Sequence, residues 1–228
     1  MKSTRVGRTL DRNGEPIPGS GFEVDPDSVL AETLRERTGP LVSNPVSQEW
    51  VAELERPEDT GGTYHSALYL SAGEGPPEHY HVGYDETFEG IAGELTVVID
   101  GRPHRVSPGD SRTVPAGRVH KPRYDGDSFA AAIGTVEPPG KTLPLIKTLF
   151  GLAHDGLVSD AGQPKFLQGM VWTDELADDT VFTSPPPAVA HPLATVLAPI
   201  GRRVGYRVTY PKYEDPAFWE LHVEQPPF

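Results

Sequence analysis

Gly73-Glu-Gly-Pro-Pro-Glu-His79-Tyr-His81-Val-Gly-Tyr-Asp-Glu86-Thr-Phe88-Glu-Gly-Ile-Ala-Gly93 is the stretch from which the rest of the chain is read. It carries three metal-competent side chains, His79, His81 and Glu86, within one short span. Side chains alternate faces along a strand, so His79 and His81, two apart, aim their imidazoles at one point. Glu86 follows a short Val82-Gly83-Tyr84-Asp85 turn and opens a run, ETFEGIA, placed to return alongside the first strand and bring a carboxylate oxygen to the same point. Three converging ligands of this kind suggest a bound metal.

A second stretch, Gly109-Asp-Ser-Arg-Thr-Val-Pro115-Ala-Gly117-Arg-Val-His120, sets a histidine just after a Pro-x-Gly turn, at the head of another strand-like run. Together the two stretches resemble the paired signature motifs of the cupin superfamily. The first motif is matched at Gly73, His79, His81, Glu86 and Gly93, and the second at Gly109, Pro115, Gly117 and His120. Tyr124 stands where the second motif carries asparagine, a position that is not a ligand and bears on the pocket lining. The resemblance spans roughly residues 60 to 137. An isolated His-x-His on a strand is more often a partnered polar pair than a metal site; the added Glu86, His120 and glycine spacing change that balance.

The resemblance implies a mainly β fold, a small antiparallel β-barrel of cupin or jelly-roll type, with short helices added at its N- and C-terminal sides. It also implies that His79, His81, Glu86 and His120 hold one divalent transition metal. Nitrogen and oxygen donors without sulfur suit Fe(II), Mn(II), Ni(II), Co(II) or Zn(II), and the likeness to mononuclear cupin oxygenases favours Fe(II). Four protein ligands leave one or two coordination positions open, the layout of a catalytic rather than a closed structural site. The expected activity is that of a non-heme dioxygenase acting on a small enolic or phenolic substrate, with Glu86 as candidate base. A redox-neutral metal-dependent isomerase, lyase or cyclase, and a cupin that binds a small molecule without changing it, stand beside that reading.

Counting in twos from the ligands sends Phe88 inward after Glu86. The same count places Arg118 and Pro122 on either side of His120, with Tyr124 also facing in. Phe88, Arg118 and Tyr124 are therefore the candidate substrate-pocket residues. His65, on the face of Thr63–Ala72 shared by Ala67 and Tyr69, is either a partner of the site or a strand residue bonded to a neighbour.

The chain of 228 residues, 36% hydrophobic and 23% charged, has room for one barrel with additions. It has no cysteine, so neither disulfides nor thiolate ligands enter. A formal net charge of −13 argues against nucleic acid or an anionic membrane as partner. No apolar run approaches a membrane span, and the N-terminus has no apolar leader core, so a cytoplasmic location is expected.

The expected division is a flexible N-terminal arm over 1–21, the β-barrel over 22–140 and a helical extension and tail over 141–228. In Phe22–Arg37 a short helix is expected, capped by Asp27 or Ser28 with Val29, Leu30 and Leu34 as its apolar stripe. Ser47–Leu54 reads as a strand or a short helix anchored by Trp50. Glu86–Ala92 and Glu94–Ile99 read as a hairpin about Gly93, and Asp100-Gly101 as a type I′ turn. Helical spacing in Lys141–His154 places a helix outside the barrel, and further apolar segments occupy Lys165–Leu176 and Val189–Arg203. These fit a helical cap or homodimer surface better than a lid or membrane-surface anchor.

Overall fold

The structure, a computed structural model, describes residues 3–228; Met1 and Lys2 of the expected N-terminal arm lie outside the described residues. Thirteen strands and six helices are described. In chain order they are β1 (Thr4–Val6), β2 (Phe22–Val24), α1 (Val29–Arg35), β3 (Val42–Asn44), β4 (Glu49–Glu55), β5 (His65–Ser71), β6 (His79–His81), β7 (Asp85–Ala92), β8 (Leu95–Ile99) and β9 (Arg102–Val106). There follow β10 (Ser111–Val114), β11 (His120–Arg123), β12 (Ala130–Glu137), α2 (Thr142–His154), α3 (Phe166–Glu175), β13 (Thr180–Phe182), α4 (Pro187–Arg203), α5 (Pro211–Glu214) and α6 (Pro216–His222).

The main strands form two antiparallel sheets, ordered β10-β7-β12-β5-β4-β3 and β13-β6-β11-β8-β9. Their inner faces share one apolar core: Val51, Tyr69 and Phe88 come from the first sheet, Leu95, Val97 and Val106 from the second. This is a two-sheet jelly roll rather than a closed barrel, since each sheet keeps two edges.

Alternation along β5 decides what each side of the larger sheet touches. Ala67 and Tyr69 face the shared core, whereas Leu68 and Leu70 enter a second cluster with Trp50, Leu30 and Leu34 on the outer face. Helix α1 covers that outer face, capped by Ser28, whose hydroxyl accepts from Ala31 N. Leu30 and Leu34 are 4% and 0% exposed, and each such burial stabilises by about 1.5–3 kcal/mol. Val29 departs from the expected stripe: it is exposed, and Ala31 occupies the inner face instead.

Four further expectations need correction. The stretch read as a mobile arm holds β1, paired with β2, and Val6 is buried. Its backbone then meets the C-terminal tail, Gly7 N donating to Glu224 O at 3.1 Å, and Arg8 forks onto the Glu224 carboxylate. Two short segments far apart in sequence satisfy each other's backbone groups, which local composition does not report.

The expected hairpin about Gly93 does not form. Strand β7 pairs with β10 and β12, and β8 with β9 and β11, so the chain crosses between sheets at Gly93. Gly93 has φ +65°, and a Cβ there would stand 2.4 Å from Phe129 O. The turn at Asp100-Gly101 does form, both residues having positive φ as a type I′ hairpin needs. For the same reason Glu86 does not return beside β6: it lies on the opposite sheet and reaches the histidines across the core.

The extension packs as α2, α3, α4, α5 and α6 with one added strand. Strand β13 joins the edge of the smaller sheet beside β6, opposing Thr180 to His81 and Phe182 to His79. Helix α2 approaches Tyr213 closely enough that a Cβ at Gly151 would lie 2.1 Å from the ring. Its apolar side closes over the inner face of the larger sheet, so α2 is a wall of the interior and not an external addition. Among the described residues, no helix is long and apolar enough to cross a membrane.

Candidate metal centre

Strand β6 is three residues long, and its alternation buries His79 and His81 while leaving Tyr80 half-buried. His120, the first residue of β11, is paired directly with His79, so both strands deliver imidazoles from the same sheet. Glu86 comes from β7 on the facing sheet. One ligand atom from each of the four residues lies within 4.8 Å of the other three. The ring centroids are 4.4 Å apart for His79 and His120, 5.0 Å for His79 and His81 and 5.1 Å for His81 and His120.

Hydrogen bonds on the far side of each ring fix its orientation. His79 Nδ1 stands 2.8 Å from Pro77 O and His120 Nδ1 3.0 Å from Arg118 O. A carbonyl only accepts, so in both rings Nδ1 carries the proton and Nε2 turns toward the cluster. His81 Nδ1 lies 3.1 Å from Thr180 Oγ1, while its Nε2 is 3.2 Å from Glu86 Oε2. His120 Nε2 is 2.8 Å from the same oxygen.

The electrostatics follow from this packing. Burial, with the neighbouring His120 and His81 rings adding to it, pushes His79 down to about 3, so it is neutral near pH 7. Burial by itself would raise Glu86; hydrogen bonds from His120 and His81 outweigh it and hold the carboxyl well below the usual carboxylate range. Burial would likewise lower His120, but the Glu86 carboxylate overrides it and raises that ring. The donor set therefore fits a divalent cation: a charged carboxylate and oriented imidazoles meet at one point, and a cation would replace the proton now held between His120 and Glu86.

Three of the four, His79, His81 and Glu86, line a cavity of about 110 Å³. Its walls are mainly apolar, with Phe88, Val136 and Pro122 from the sheets, Leu145 and Ile146 from α2, and Trp172 from α3. A larger polar cleft of about 680 Å³, lined by Arg37, Arg56, Glu53 and Lys147, contains none of the four cluster residues.

Among the candidate pocket residues, Phe88 is buried and lines this cavity. Arg118 does not: its side chain is 57% exposed and ion-paired with Asp100. Tyr124 is half-buried against the core, outside the cavity wall, and its hydroxyl accepts from Ser128 N at 3.1 Å. Alternation holds only within a strand, and β11 ends at Arg123 and begins at His120. Counting in twos past either end assigned a direction that the turn residues do not keep. Pro122, inside the strand, does line the cavity.

The residues that sequence reasoning missed come from the extension: Thr180 and Phe182 on β13, Trp172 on α3 and the apolar side of α2. The periodicity of α2 is visible in the sequence. Which body its apolar side covers is not.

Two sheets packed as a jelly roll, with three imidazoles from one and a carboxylate from the other, define a cupin fold with a candidate metal centre. Residues 68–136 match the family described as Cupin domain. Over 72 residues the chain is 36% identical to quercetin 2,3-dioxygenase of Bacillus subtilis (strain 168), a match covering 32% of this chain. The chain spans about a fifth, 21%, of the length of that relative. Among solved structures, the polyketide cyclase RemF from Streptomyces resistomycificus is similar over 45% of this chain and 77% of its own, with 17% identity and a TM-score of 0.39. A sugar phosphate isomerase of the cupin superfamily from Silicibacter pomeroyi is similar over 40% of this chain and 60% of its own, with 23% identity and a TM-score of 0.34.

Proposed function

We propose that the protein is a metal-dependent cupin enzyme, a mononuclear non-heme dioxygenase acting on a small enolic or phenolic compound. The observation that carries this reading is a cluster of four N/O donors, three of them lining a mainly apolar cavity with space for a small molecule beside them. The segment in common with quercetin 2,3-dioxygenase supports the oxygenase class, and Fe(II) is the metal proposed. When bound, such an ion would supply open positions for a substrate oxygen and for dioxygen.

The chain's own residues supply the remainder. His79, His81, Glu86 and His120 would hold the ion, each imidazole being oriented from behind through Nδ1. Glu86, at the cavity wall, would be the base for the proton of an enol or phenol. Phe88, Leu145 and Trp172 keep bulk water from the site.

Metal analysis of freshly purified protein, joined to oxygen-uptake measurements over small enols and phenols, tests the proposal. Turnover that consumes oxygen with iron bound is the expected result. Turnover that persists without oxygen would instead assign a redox-neutral isomerase, lyase or cyclase. Substrate recovered unchanged from the metal-loaded protein would assign a binding cupin.

Homodimer formation is part of the proposal. Val189, Val196 and Ile200 lie exposed on α4, which supports a self-association surface there. A monomeric mass by light scattering would remove that element.

A further inference from the structure

Every polar side chain in the wall of the small cavity except one is already engaged. The Tyr69 hydroxyl donates to Glu49 at 2.8 Å, the Thr142 and Tyr84 hydroxyls bond each other, and Thr180 meets Tyr84, Asp179 and His81. His79, His81, Glu86 and His120 belong to the cluster. His65 remains. It lines the cavity, is 7% exposed, and its Nε2 has no hydrogen-bond partner among the described residues. The nearest carboxylate oxygen, Glu53 Oε1, lies 3.9 Å away, beyond hydrogen-bond distance. Buried polar groups are almost always paired, so an unpaired imidazole in a cavity wall is poised for a partner that enters.

Its position relative to the cluster is set by the sheet. His65 on β5 is opposite Val136 on β12, and Val136 is opposite Glu86 on β7. His65 and Glu86 therefore share one cross-strand row, two strand spacings or about 10 Å apart along the sheet, and both reach the cavity. Beside that row the wall is made of Ala67 and Gly134, and a Cβ at Gly134 would meet nothing closer than Ala67 O at 3.8 Å and Glu86 Oε1 at 4.0 Å. Val136 lies between the two polar ends, and the small pair Ala67 and Gly134 leaves room in the row beside it.

We propose that His65 is the substrate-positioning residue of this cavity, holding the far polar atom of a compact two-ended molecule whose near oxygen lies at the four-residue cluster. The inference rests on the functional reading above and narrows its substrate class. A cavity of about 110 Å³ is near the size that accepts a single benzene ring, so the molecule is one ring or a short chain and not a fused multi-ring compound. Burial pushes His65 below the ordinary histidine value, so near neutral pH the ring offers one donor and one acceptor. With Glu53 Oε1 3.9 Å from the same Nε2, an anionic far end is disfavoured and a hydroxyl or carbonyl is preferred. Dihydroxybenzenes and hydroxyaryl carbonyl compounds have this chemistry.

The experiment measures binding rather than turnover. Resorcinol, hydroquinone and phenol are titrated calorimetrically into metal-loaded parent protein and into His65→Phe, His65→Gln and Gly134→Ala, with metal content measured in each. The parent is expected to bind at least one dihydroxybenzene about tenfold more tightly than phenol, the worth of one neutral hydrogen bond. In His65→Phe that preference disappears while phenol affinity stays, and His65→Gln restores part of it. Gly134→Ala weakens all three probes. If His65→Phe does not load metal, the Gln variant carries the test, with a reduced preference expected.

A parent that does not distinguish the probes, or that binds none, overturns the proposal, as does a preference unchanged in His65→Phe. Discrimination that depends on His65 without any oxygen consumption would leave the positioning role standing and remove the oxygenase reading.

Discussion

Thr180 stands opposite His81 in the ladder between β13 and β6, and its Oγ1 lies 3.1 Å from His81 Nδ1. A residue from the C-terminal extension therefore orients a candidate metal ligand in the jelly roll. The same hydroxyl is tied to Tyr84 and Asp179, and Asp179 accepts from Lys141 N at the entrance to α2.

Replacing Thr180 with valine keeps the branched shape that suits a strand and deletes the hydroxyl. Metal affinity is expected to fall 10–100-fold, the usual cost of losing a partner behind a ligand histidine. Titration with Fe(II) or Co(II) under argon reads it, and an unchanged affinity would show that Thr180 does not orient His81.

Alanine at His79, His81 or His120 is expected to abolish stoichiometric metal binding. Glu86→Gln keeps the shape but not the charge, so part of the metal is retained while turnover falls by about 100-fold or more, the contribution of a positioned proton acceptor. A Glu86→Gln protein as fast as the parent would exclude the acid–base role.

Tyr84 gathers Thr142, Asp179 and Thr180 through one buried hydroxyl. Tyr84→Phe leaves those groups short of a partner and is expected to cost about 1–3 kcal/mol of stability. Denaturant melts of the two proteins, compared at equal metal content, check the figure.

His154 couples α2 to the sheet edge, its Nε2–H donating to Ser43 O at 3.0 Å, with His222 and Asp155 as its charged or titratable neighbours. Burial, with His222 adding to it, pushes this histidine down from 6.5 to about 4. The unfolded chain therefore binds the proton first as pH falls, and stability is lost between about pH 6.5 and 4. The loss attributable to His154 reaches about 3 kcal/mol at the acid end. Metal-free His79, also pushed down, acts in the same direction. The thermal midpoint of metal-free His154→Gln should fall less than the parent's from pH 7 to pH 5; equal falls would refute the assignment.

Gly93→Ala meets two obstacles, a φ of +65° and Phe129 O at 2.4 Å from the new Cβ. The backbone conformation alone costs about 1–2 kcal/mol, and the contact forces the crossing between sheets to shift. A melting temperature equal to the parent's would mean that the crossing is not held as described.

Much of the centre is legible in the order of residues alone. His79 and His81 converge because a strand alternates, and the spacing to Glu86 and His120 resembles a known pattern. The pocket is only partly legible in that way. Phe88 and Pro122 lie within strands and obey the count, whereas Arg118 and Tyr124 lie past the ends of β11, where alternation lapses. The hairpin expected at Gly93 failed because a glycine with positive φ serves a crossover as readily as a reversal. Only the partner strands, β10 and β12 for β7 and β9 and β11 for β8, distinguish the two.

By itself the sequence determined the strand-rich class, the four candidate N/O donors and the absence of cysteine chemistry, because alternation, spacing and composition are local properties of a chain. Only the tertiary structure decided that Glu86 faces its histidines from the opposite sheet, that α2 and β13 close the cavity, and that His65 shares a row with Glu86. Those relations depend on which distant segments bury their apolar sides against each other, and a helix or strand carries the same apolar pattern whichever partner it meets.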